Sequence, residues 1–588
     1  MLIRLPFIKG VTHEVDYVRF FGERGITEIV DLWGERHDVT SDGEPMVILF
    51  ESMYKGLSYF KKYGDARDWQ EYWERFHRYQ HCFGVAKWNF SKEEERVYTR
   101  ANYQILQDLD LPYSRFASLA KDSVDWVECI VSGDLPYTMC FLGLYADRCT
   151  PKNDYVRAVL RNQQMLQEPN VRAYLVSLMK KYMDDMKCGK LHLRSCFKFL
   201  VPDLVLALEH IGGLPENGCL SDGEFYASNQ NGPVIGECAI ERNPHICRSE
   251  HTVLKGVSSE ELERYFSHLA NVCMVNGKGI VMQRLQGADS DGDLVLVIQN
   301  DIVLEGIDRN APIVLDVDDK VTVSPEEDTP ENRRKIILRT MKNLIGEFSN
   351  YASVYHNKTP RSAEQRKKYE HYIDIIAVLT GKAIDYAKTG VLYLVPPYIA
   401  KFGRPLPYFM RYRKPYYARM KLSRGASNMN RLCWELERWE REVKFCRSRT
   451  KFDYRLMLAP EREAPKEVFS KIEEIYLEFC REMTDLSKDQ RSIREEIGDF
   501  QINWEYYYDC FRERCREACP DERMLADAAV RICWGIYPKK SKKFPWIVAG
   551  SGILKNINAV PVLLPVEDPE GEIQYLGKRY RMEEKTID

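Results

Sequence analysis

The stretch GADSDGDLVLV, residues 287–297, places three aspartates at alternate positions beside one glycine. The aspartates are Asp289, Asp291 and Asp293, and the glycine is Gly292. At a spacing of ~5–6 Å and an effective dielectric constant of about 20, each pair of carboxylates repels by roughly 3 kcal/mol. A bound cation removes this repulsion, so the stretch predicts a metal site.

Other interpretations of the acidic stretch fit the residues less well. An EF-hand loop would have glycine at its sixth position and glutamate at its twelfth, where this chain has Leu294 and Asn300. A plain acidic turn suits the Asp-Gly pair, but a hairpin gains nothing from the third carboxylate. We expect two apolar strands, GIVMQRLQ (279–286) and LVLVI (294–298), to hold the loop, with Gly292 allowing a sharp turn toward Mg²⁺.

Composition limits the class of protein to which this site belongs. The 588 residues carry a net charge of −3, with 29% charged and 44% hydrophobic residues, which is typical of a soluble globular protein of two to four domains. The 17 cysteines form no CxxC pair, and Cys510, Cys515 and Cys519 lack zinc spacing, so reduced thiols are favoured. The chain shows no signal-peptide core and no stretch of about 20 apolar residues, so we expect a cytoplasmic protein with no membrane partner.

Hydrophobic periodicity changes in blocks along the chain. We predict short strands over 1–60, with MVILF (46–50) the clearest, then helices over about 95–190, strands over about 191–310, helices over 330–390, and a helical C-terminal part. No repeat of fixed period is found, but the two strand-rich blocks suit two related barrels that have diverged.

The acidic loop and its flanks resemble a known family. DxDGD between apolar segments looks like the catalytic loop of the cellular RNA-dependent RNA polymerases, the RNA-silencing type with bacterial and phage relatives. More distantly, it resembles the largest subunit of multisubunit RNA polymerases, whose related loop lies in a double-psi β-barrel. The similar segments are LPFIKGVTHEVD (5–16), ILFESMYKG (48–56), GECAIERNPHICRSEHTVLKG (236–256), GKAIDYAKTGV (381–391) and FPWIVAGSGILKNI (544–557).

This resemblance implies an α+β fold in which two double-psi β-barrels form one active site. The implied domains are a lysine-bearing first barrel region (1–100), a helical connector (101–190), a second barrel with the DxDGD loop (191–325), bridge-like helices with a basic segment (326–450), and a helical C-terminal region (451–588).

The implied activity is that of a template-directed RNA polymerase, which joins ribonucleoside triphosphates to an RNA 3′ end. Asp289, Asp291 and Asp293 would be catalytic and would hold Mg²⁺, with Mn²⁺ as the alternative and a second ion arriving with the triphosphate. Lys9 and Lys55, from the first barrel, would be catalytic positive charges beside the phosphates.

Two further residues are implied in substrate binding. Arg242 would contact the ribose of the incoming nucleotide, where a forked donor can recognise the 2′-hydroxyl. The alternative is a barrel-surface arginine paired with Glu241 or Glu237. Lys388 would contact phosphate, and Gly390 after it is expected to end a helix.

The segment after Arg242 departs from the family pattern. RSEH (248–251) replaces a segment that is usually of Pro-Gly-Asp type, which leaves substrate contacts there open. His245, Cys247 and His251 lack a fourth spaced ligand, so loop packing is favoured over a metal cluster.

An acid-free segment is informative without any resemblance. No Asp or Glu occurs from Tyr386 to Trp434, where basic residues alternate with aromatic ones. Basic side chains neutralise phosphates and aromatic rings stack on unpaired bases, so the segment favours a template or product channel. The candidate nucleic-acid-binding residues are Arg404, Arg411, Arg413, Lys414, Arg419 and Lys421, and the interleaved aromatic residues are Tyr408, Phe409, Tyr412, Tyr416 and Tyr417.

Several alternatives stay open. An RNA template is the first choice because the flanking motifs resemble the RNA-dependent type, and a DNA template is the runner-up. The chain could also be an inactive RNA-binding relative, and a two-metal nuclease is a weaker rival because hydrolysis would not need Lys9 and Lys55. Because the chain starts directly at the expected first barrel, it is expected to be a minimal polymerase, a trimmed core lacking upstream domains, or a part that needs an additional polymerase subunit.

Overall fold

The computed structural model of the chain describes residues 1–40, 46–54, 66–76, 84–87, 97–149, 151–229, 231–315, 327–341, 344–446, 452–497 and 501–587. The strands are β1 (Leu2–Leu5), β2 (Ile8–Val11), β3 (Glu28–Val30), β4 (Arg36–Asp38), β5 (Gly84–Lys87), β6 (Tyr98–Arg100), β7 (His192–Pro202), β8 (Glu224–Tyr226), β9 (Ser228–Asn229), β10 (Gly232–Pro233), β11 (Gly236–Arg242), β12 (Thr252–Gly256), β13 (Val272–Val275), β14 (Leu294–Ile298), β15 (Val562–Glu567), β16 (Ile573–Tyr575) and β17 (Lys578–Lys585).

The α-helices are α1 (Tyr17–Gly22), α2 (Ala66–Phe76), α3 (Tyr103–Leu106), α4 (Tyr113–Ala117), α5 (Lys121–Ser132), α6 (Leu135–Leu142), α7 (Asp154–Arg161), α8 (Pro169–Lys187), α9 (Leu204–Ile211), α10 (Glu260–Phe266), α11 (Val281–Arg284), α12 (Asp301–Gly306), α13 (Pro330–Thr340), α14 (Ile345–His356), α15 (Ala363–Thr389), α16 (Pro397–Ala400), α17 (Asn428–Glu442), α18 (Lys466–Ile497), α19 (Trp504–Ala518), α20 (Glu522–Val530) and α21 (Lys543–Asn556). Short 3₁₀ turns include Arg248–Glu250, Tyr408–Tyr412 and Pro415–Arg419.

The chain divides into two compact units. Unit 1 comprises Met1–Ala120, Cys188–Arg411 and Met420–Trp434, and unit 2 comprises Lys121–Lys187, Tyr412–Arg419 and Glu435–Asp588.

A closed six-stranded β-barrel organises unit 1. Its strands follow the order β13-β8-β12-β11-β14-β7, and a second pairing between β7 and β13 closes the ring. The strand β14, LVLVI, is apolar at every position: Val295 and Val297 lie in one buried cluster, and Leu296 and Ile298 are also fully buried. Burial on both faces explains why this strand is continuously apolar and does not alternate with polar residues. The predicted strand block over 191–310 is confirmed.

A three-stranded antiparallel sheet, in the order β2-β1-β5, also belongs to unit 1. The tight turn between β1 and β2 contains Phe7 at a positive φ of 59°, and it places Lys9 opposite Arg4. The strands β3 and β4 form a separate hairpin. The described residues of the 1–100 region therefore give sheets and helices, whereas the closed first barrel expected there stays a prediction.

Two of the predicted strands are wrong. MVILF (46–50) forms no strand: Met46 and Ile48 instead pack against the apolar cluster around Phe20 and Val205. GIVMQRLQ, upstream of the acidic loop, forms the short helix α11. Its buried residues Val281 and Leu285 are four positions apart, which is a helical spacing, so tertiary burial of one helix face overrides β-propensity here.

The predicted helical blocks over 95–190 and 330–390 are confirmed by α3 to α8 and by α13 to α15. In unit 2, helices and strand β15 share one core, which includes Val159, Tyr476, Ala529, Ile553 and Val562. None of the described helices has the length and low charge that a membrane-spanning segment requires.

The helical prediction is wrong for the last residues of unit 2. An antiparallel sheet in the order β15-β17-β16 ends the chain. The two residues between β16 and β17, Leu576 and Gly577, have φ values of 47° and 79°, which suit the tight hairpin turn between twisted strands. The Leu-Gly pair between two short alternating segments is the sequence feature that indicates this hairpin. The prediction of a helical C-terminal part did not take it into account.

Every described cysteine is a free thiol, as expected from the cysteine pattern. Cys515 and Cys519 are buried and Cys510 is half-buried, which confirms that this group consists of ordinary packed cysteines.

A buried aspartate fixes the start of α9, the helix that follows barrel strand β7. Asp203 is 1% exposed, and its Oδ1 accepts hydrogen bonds from the first amides of α9, Val205 N at 2.9 Å and Leu206 N at 3.2 Å. Its Oδ2 accepts from Cys219 N at 2.7 Å and Leu220 N at 2.9 Å. One side chain therefore satisfies donors on two separate segments of unit 1.

Replacing this aspartate should destabilise unit 1. In Asp203→Ala the helix loses its cap and two further amides lose their acceptor, which should cost about 2–4 kcal/mol of unfolding free energy. Urea unfolding followed by tryptophan fluorescence should show the lower midpoint. The exposed Asp222→Ala serves as the matched control and should keep the original midpoint. Equal midpoints for the two variants would contradict this role of Asp203.

Candidate active site

The acidic loop connects α11 to β14, and its backbone conformation depends on glycine. Gln286 and Gly287, which open the loop, have φ values of 57° and 65°, and Gly292 has a φ of 124°. A Cβ atom on Gly292 would lie 3.0 Å from Cδ1 of Leu2 in strand β1. The loop therefore passes close against the N-terminal sheet, and glycine is required both for the angle and for the space.

The structure brings the three predicted aspartates together. Asp289, Asp291 and Asp293 each offer a carboxylate oxygen within 4.8 Å of the others. The loop also folds back on itself, because Asp289 N donates to Asp293 Oδ2 at 3.1 Å and Asp291 N donates to Asp289 Oδ1 at 3.1 Å. The carboxylates thus converge on one point.

Lys9 supplies the first positive charge at this point. Its ammonium group forms an ion pair with Asp291 Oδ2, and its side chain stays 39% exposed while that of Asp291 is 14% exposed. Lys9 lies on β2, whose partner β1 also carries Leu2. The N-terminal sheet therefore contacts the aspartate loop through both an apolar and a charged side chain.

Arg242 supplies the second positive charge, from the barrel itself. Its Nε lies 3.0 Å from Asp293 Oδ2, and its Nη1 donates to the carbonyl oxygens of Leu285 at 3.3 Å and Gln286 at 3.4 Å. The ladder between β11 and β14 produces this contact by pairing Arg242 with Val295, two residues after Asp293.

The alternative partners considered for Arg242 are engaged elsewhere. Glu237 forms a two-point ion pair with Arg309, with contacts of 2.6 and 2.8 Å. Glu241 is fully buried and contacts His245 and His251.

Electrostatics of the loop favour a divalent cation. Burial raises the pKa of Asp289, and the hydrogen bond and charge of Asp291, followed by the charge of Asp293, raise it further. Among the described residues, two side-chain cations, Lys9 and Arg242, form ion pairs with the three carboxylates. The donors are oxygen atoms only, which fits a hard cation such as Mg²⁺ or Mn²⁺.

Behind Arg242 lies a ring of two histidines and two carboxylates. The sequence pointed to His245 and His251, which were expected to pack in the loop, but not to Asp108 as their partner. Asp108 Oδ2 lies 3.1 Å from His245 Nε2, and Asp108 Oδ1 lies 2.9 Å from His251 Nε2. On the other side of the rings, Glu241 Oε1 lies 2.7 Å from His251 Nδ1 and Glu241 Oε2 lies 3.1 Å from His245 Nδ1. All four side chains are at most 4% exposed. No local spacing links Asp108 to residues 137 positions later.

The two imidazole rings of this ring pack against each other, with centroids 4.2 Å apart. Burial lowers the pKa of His251, but the charges of Glu241 and Asp108 outweigh it and raise the pKa to about 9. Two imidazolium ions at this separation would repel by roughly 4 kcal/mol at an effective dielectric constant of about 20. A doubly protonated ring therefore carries a penalty that its carboxylates must offset.

The unusual RSEH segment (248–251) has a structural role. Arg248 forms ion pairs with Glu370 at 3.1 Å and with Asp308 at 3.7 Å. Glu250 is buried and accepts hydrogen bonds from the backbone amides of residues 246 and 247 at 3.1 and 3.0 Å. Together with His251 in the ring, these contacts hold the turn between β11 and β12.

The side chains of two predicted site residues lie outside the part of the chain that the structure describes. Lys55 lies outside the described residues. Lys388 lies in the last turn of α15, but its side chain is outside the described part of the chain. Gly390 follows that helix at a φ of 68°, and its amide donates to Tyr386 O at 2.8 Å, so the expected glycine stop is confirmed.

The basic segment is exposed, but several of its aromatic residues are not. Among the predicted contacts, Arg411 is half-buried and the exposed ones are Arg404, Arg413, Lys414, Arg419 and Lys421. Tyr408, Phe409 and Tyr417 are buried, with Phe409 packing on Tyr103 at 5.5 Å between ring centroids. The expectation that these three rings stack on bases is therefore wrong, because they anchor the short 3₁₀ turns to the protein core. Tyr416 is 40% exposed.

The chain is similar to several known proteins. A model of the family described as RNA dependent RNA polymerase matches residues 19–430. The DNA-directed RNA polymerase YonO of Bacillus phage SPbeta is 23% identical over 568 residues, which are 95% of this chain and 63% of the phage protein. The probable RNA-dependent RNA polymerase 5 of Arabidopsis thaliana is 26% identical over 151 residues, which are 25% of this chain and 14% of the plant protein.

A solved structure, the RNA dependent RNA polymerase QDE-1 from Thielavia terrestris, matches with a TM-score of 0.47 and 15% identity, covering 79% of this chain and 57% of the fungal chain. This chain thus spans less than two thirds of the length of each of these relatives. The family match covers most of the 588 residues and includes the aspartate loop and Arg242. The chain belongs to the RNA-dependent RNA polymerase family.

Proposed function

We propose that this chain is a template-directed RNA polymerase, which extends an RNA 3′ end with ribonucleoside triphosphates on a single-stranded RNA template. The observation that carries the proposal is the pairing of Lys9, from the N-terminal sheet, and Arg242, from the barrel, with the same aspartate loop. These two cations lie beside the carboxylate cluster, where they would also meet the phosphates of a metal-bound triphosphate. Family membership supplies the class of reaction.

In nucleotidyl transfer the 3′-hydroxyl oxygen attacks the α-phosphorus of the triphosphate, the bond to the bridging oxygen breaks, and pyrophosphate leaves. Mg²⁺ or Mn²⁺ held by Asp289, Asp291 and Asp293, with a second ion arriving with the triphosphate, would supply Lewis-acid polarisation for the attacking and leaving oxygens. Lys9 would place a fixed positive charge beside the phosphoryl oxygens, where negative charge accumulates.

Arg242 is proposed to recognise the ribose of the incoming nucleotide. Asp293 holds its Nε, and two carbonyl oxygens hold its Nη1, so the guanidinium plane is fixed before substrate arrives. Its Nη2 donates no hydrogen bond to any of the described residues and keeps its two N–H donors. These donors suit a 2′-hydroxyl, the group that distinguishes ribose from deoxyribose.

The nucleic-acid path and the second barrel complete the proposal. The exposed basic side chains of the segment after α15 would contact phosphates, and Lys388 would join them. Lys55 would add its charge to that of Lys9. The closed barrel of unit 1 would be of the double-psi type and would face a second such barrel in the first hundred residues. A further polymerase subunit or further domains would complete the template path.

A DNA template is the second candidate, and one observation favours it. The phage relative that matches 95% of this chain is named a DNA-directed RNA polymerase. The aspartates and Lys9 act on the triphosphate and the 3′ end, so the same chemistry serves either template.

Template use separates these functions directly. The protein would be incubated with Mg²⁺, labelled ribonucleotides and either single-stranded RNA or single-stranded DNA. We expect incorporation that depends on the RNA template and falls at least about 100-fold in Asp291→Ala, because the variant lacks a carboxylate at the metal site.

Each other outcome has a distinct meaning. Incorporation with DNA alone would favour the second candidate, and shortening of the added strand would favour a nuclease. Template binding without incorporation would favour an RNA-binding relative that is inactive by itself. Incorporation that survives unchanged in Asp291→Ala would remove the aspartate loop from the mechanism.

The role of Lys9 predicts a selective loss of turnover. In Lys9→Ala, kcat should fall by about 100-fold because a positive charge beside the transferring phosphate is lost. Template affinity, measured by fluorescence anisotropy, should stay within about threefold. Lys255→Ala removes an exposed lysine from barrel strand β12 and should change neither quantity. Equal rates for the two variants would exclude Lys9 from catalysis.

Sugar recognition by Arg242 predicts a change in substrate preference. Arg242→Lys keeps the positive charge but lacks the fork, so the ratio of kcat/KM for ribonucleotides to that for deoxyribonucleotides should fall at least about tenfold. Arg309→Ala is the control, because it removes an exposed arginine that pairs with Glu237 and not with the aspartate loop. It should preserve the ratio. An unaltered ratio in Arg242→Lys, at reduced overall activity, would assign Arg242 to loop structure and not to sugar recognition.

A further inference from the structure

We propose that Asp108, His245 and His251 form a second metal site, distinct from the aspartate loop, which holds one Zn²⁺ ion in the buried ring behind Arg242. The proposal does not depend on polymerase activity, because it concerns only what this ring binds.

The donor atoms converge in the way a metal site requires. Both Nε2 atoms face the same carboxylate, at 3.1 Å from Asp108 Oδ2 for His245 and 2.9 Å from Asp108 Oδ1 for His251. The ligand atoms of the three residues all lie within 4.8 Å of one another. Two imidazole nitrogens and a carboxylate are a ligand set that zinc uses in proteins, and the two oxygens of Asp108 allow a fourth coordination position to be filled.

Glu241 provides the support that metal-bound histidines usually have. Its Oε1 accepts a hydrogen bond from Nδ1 of His251 at 2.7 Å, and its Oε2 lies 3.1 Å from Nδ1 of His245 without forming a hydrogen bond there. A carboxylate at Nδ1 fixes the proton on that nitrogen and turns the lone pair of Nε2 toward the metal. Glu241 therefore orients the ring of His251, and the contact between Nε2 of His245 and Asp108 orients the other ring.

Charge balance is satisfied by one divalent ion, as it is by two protons, one on each ring. With both rings neutral, Asp108 and Glu241 leave a charge of −2 in a fully buried site. One divalent cation cancels that charge while the rings, 4.2 Å apart, stay uncharged and do not repel each other. Binding to the doubly protonated ring releases two protons, one from each Nε2, and this keeps the site neutral throughout.

The donor chemistry separates this site from the aspartate loop. The loop offers only carboxylate oxygens and is partly exposed, whereas the ring offers imidazole nitrogens and is buried. Imidazole suits Zn²⁺, and an all-oxygen set suits Mg²⁺. A bound zinc ion would tie the segment before α4 to the turn that follows β11, across the 137 positions of sequence that separate Asp108 from His245.

Metal analysis of the whole chain tests the proposal. The protein, without a histidine tag, would be exposed to a small excess of Zn²⁺, dialysed, and analysed by mass spectrometry for metals. We expect about one zinc ion per chain, and Co²⁺ in its place should give a visible absorption band that Zn²⁺ abolishes. Less than about 0.2 zinc per chain in the folded protein would overturn the proposal and leave a metal-free, protonated ring.

Variants locate the ion. Asp108→Asn and His251→Gln should each lower the zinc content at least about fivefold. Asp110→Asn is the matched control: its side chain is 81% exposed two positions away, and it should keep the full content. Asp291→Ala should also keep zinc, because the aspartate loop is a separate site. Zinc retained equally by Asp108→Asn and His251→Gln would overturn the assignment, and the cobalt titration of the unaltered protein decides the question if these variants do not fold.

Discussion

The repulsion among three carboxylates on one turn is the constraint on which unit 1 depends. Asp289, Asp291 and Asp293 can share one point only because cations and amides meet them there. Lys9 and Arg242 are those cations, and much of the surrounding fold serves to deliver them. The β1–β2 hairpin positions the lysine, and the β11–β14 ladder positions the arginine. The register of these strands therefore determines the geometry of the site.

The loop, its last strand and most of the helical blocks could be predicted because their signals are local. LVLVI is apolar at every position and follows a glycine turn, and this is enough to identify a buried strand. The aspartate spacing identifies a cation site because like charges need a partner wherever the chain runs. Lys9 could be linked to the loop only through a family resemblance, since a single lysine in a short strand carries no signal of its own.

The rest could not be predicted because it depends on contacts between distant parts of the chain. Asp108 contacts His245 only in the folded chain, and no sequence spacing predicts the pair. MVILF has the composition of a strand yet finds no ladder partner among the described residues. Tyr408 and Phe409 lie among basic residues, as base-stacking rings would. Both rings are nevertheless buried in the core, where their large apolar surface is removed from water. The residue types of these segments indicate a preferred local structure or contact, whereas tertiary packing determines the conformation and the burial that they adopt.

Strand β11 carries two neighbouring residues whose side chains belong to two different sites. Glu241 enters the buried ring and Arg242 reaches the aspartate loop, because consecutive side chains of a strand point to opposite faces. Adding or deleting one residue within 236–242 would exchange them, burying a guanidinium among imidazoles and turning a fourth carboxylate toward three others. The length of this strand is therefore constrained by the buried ring and by the aspartate loop at the same time.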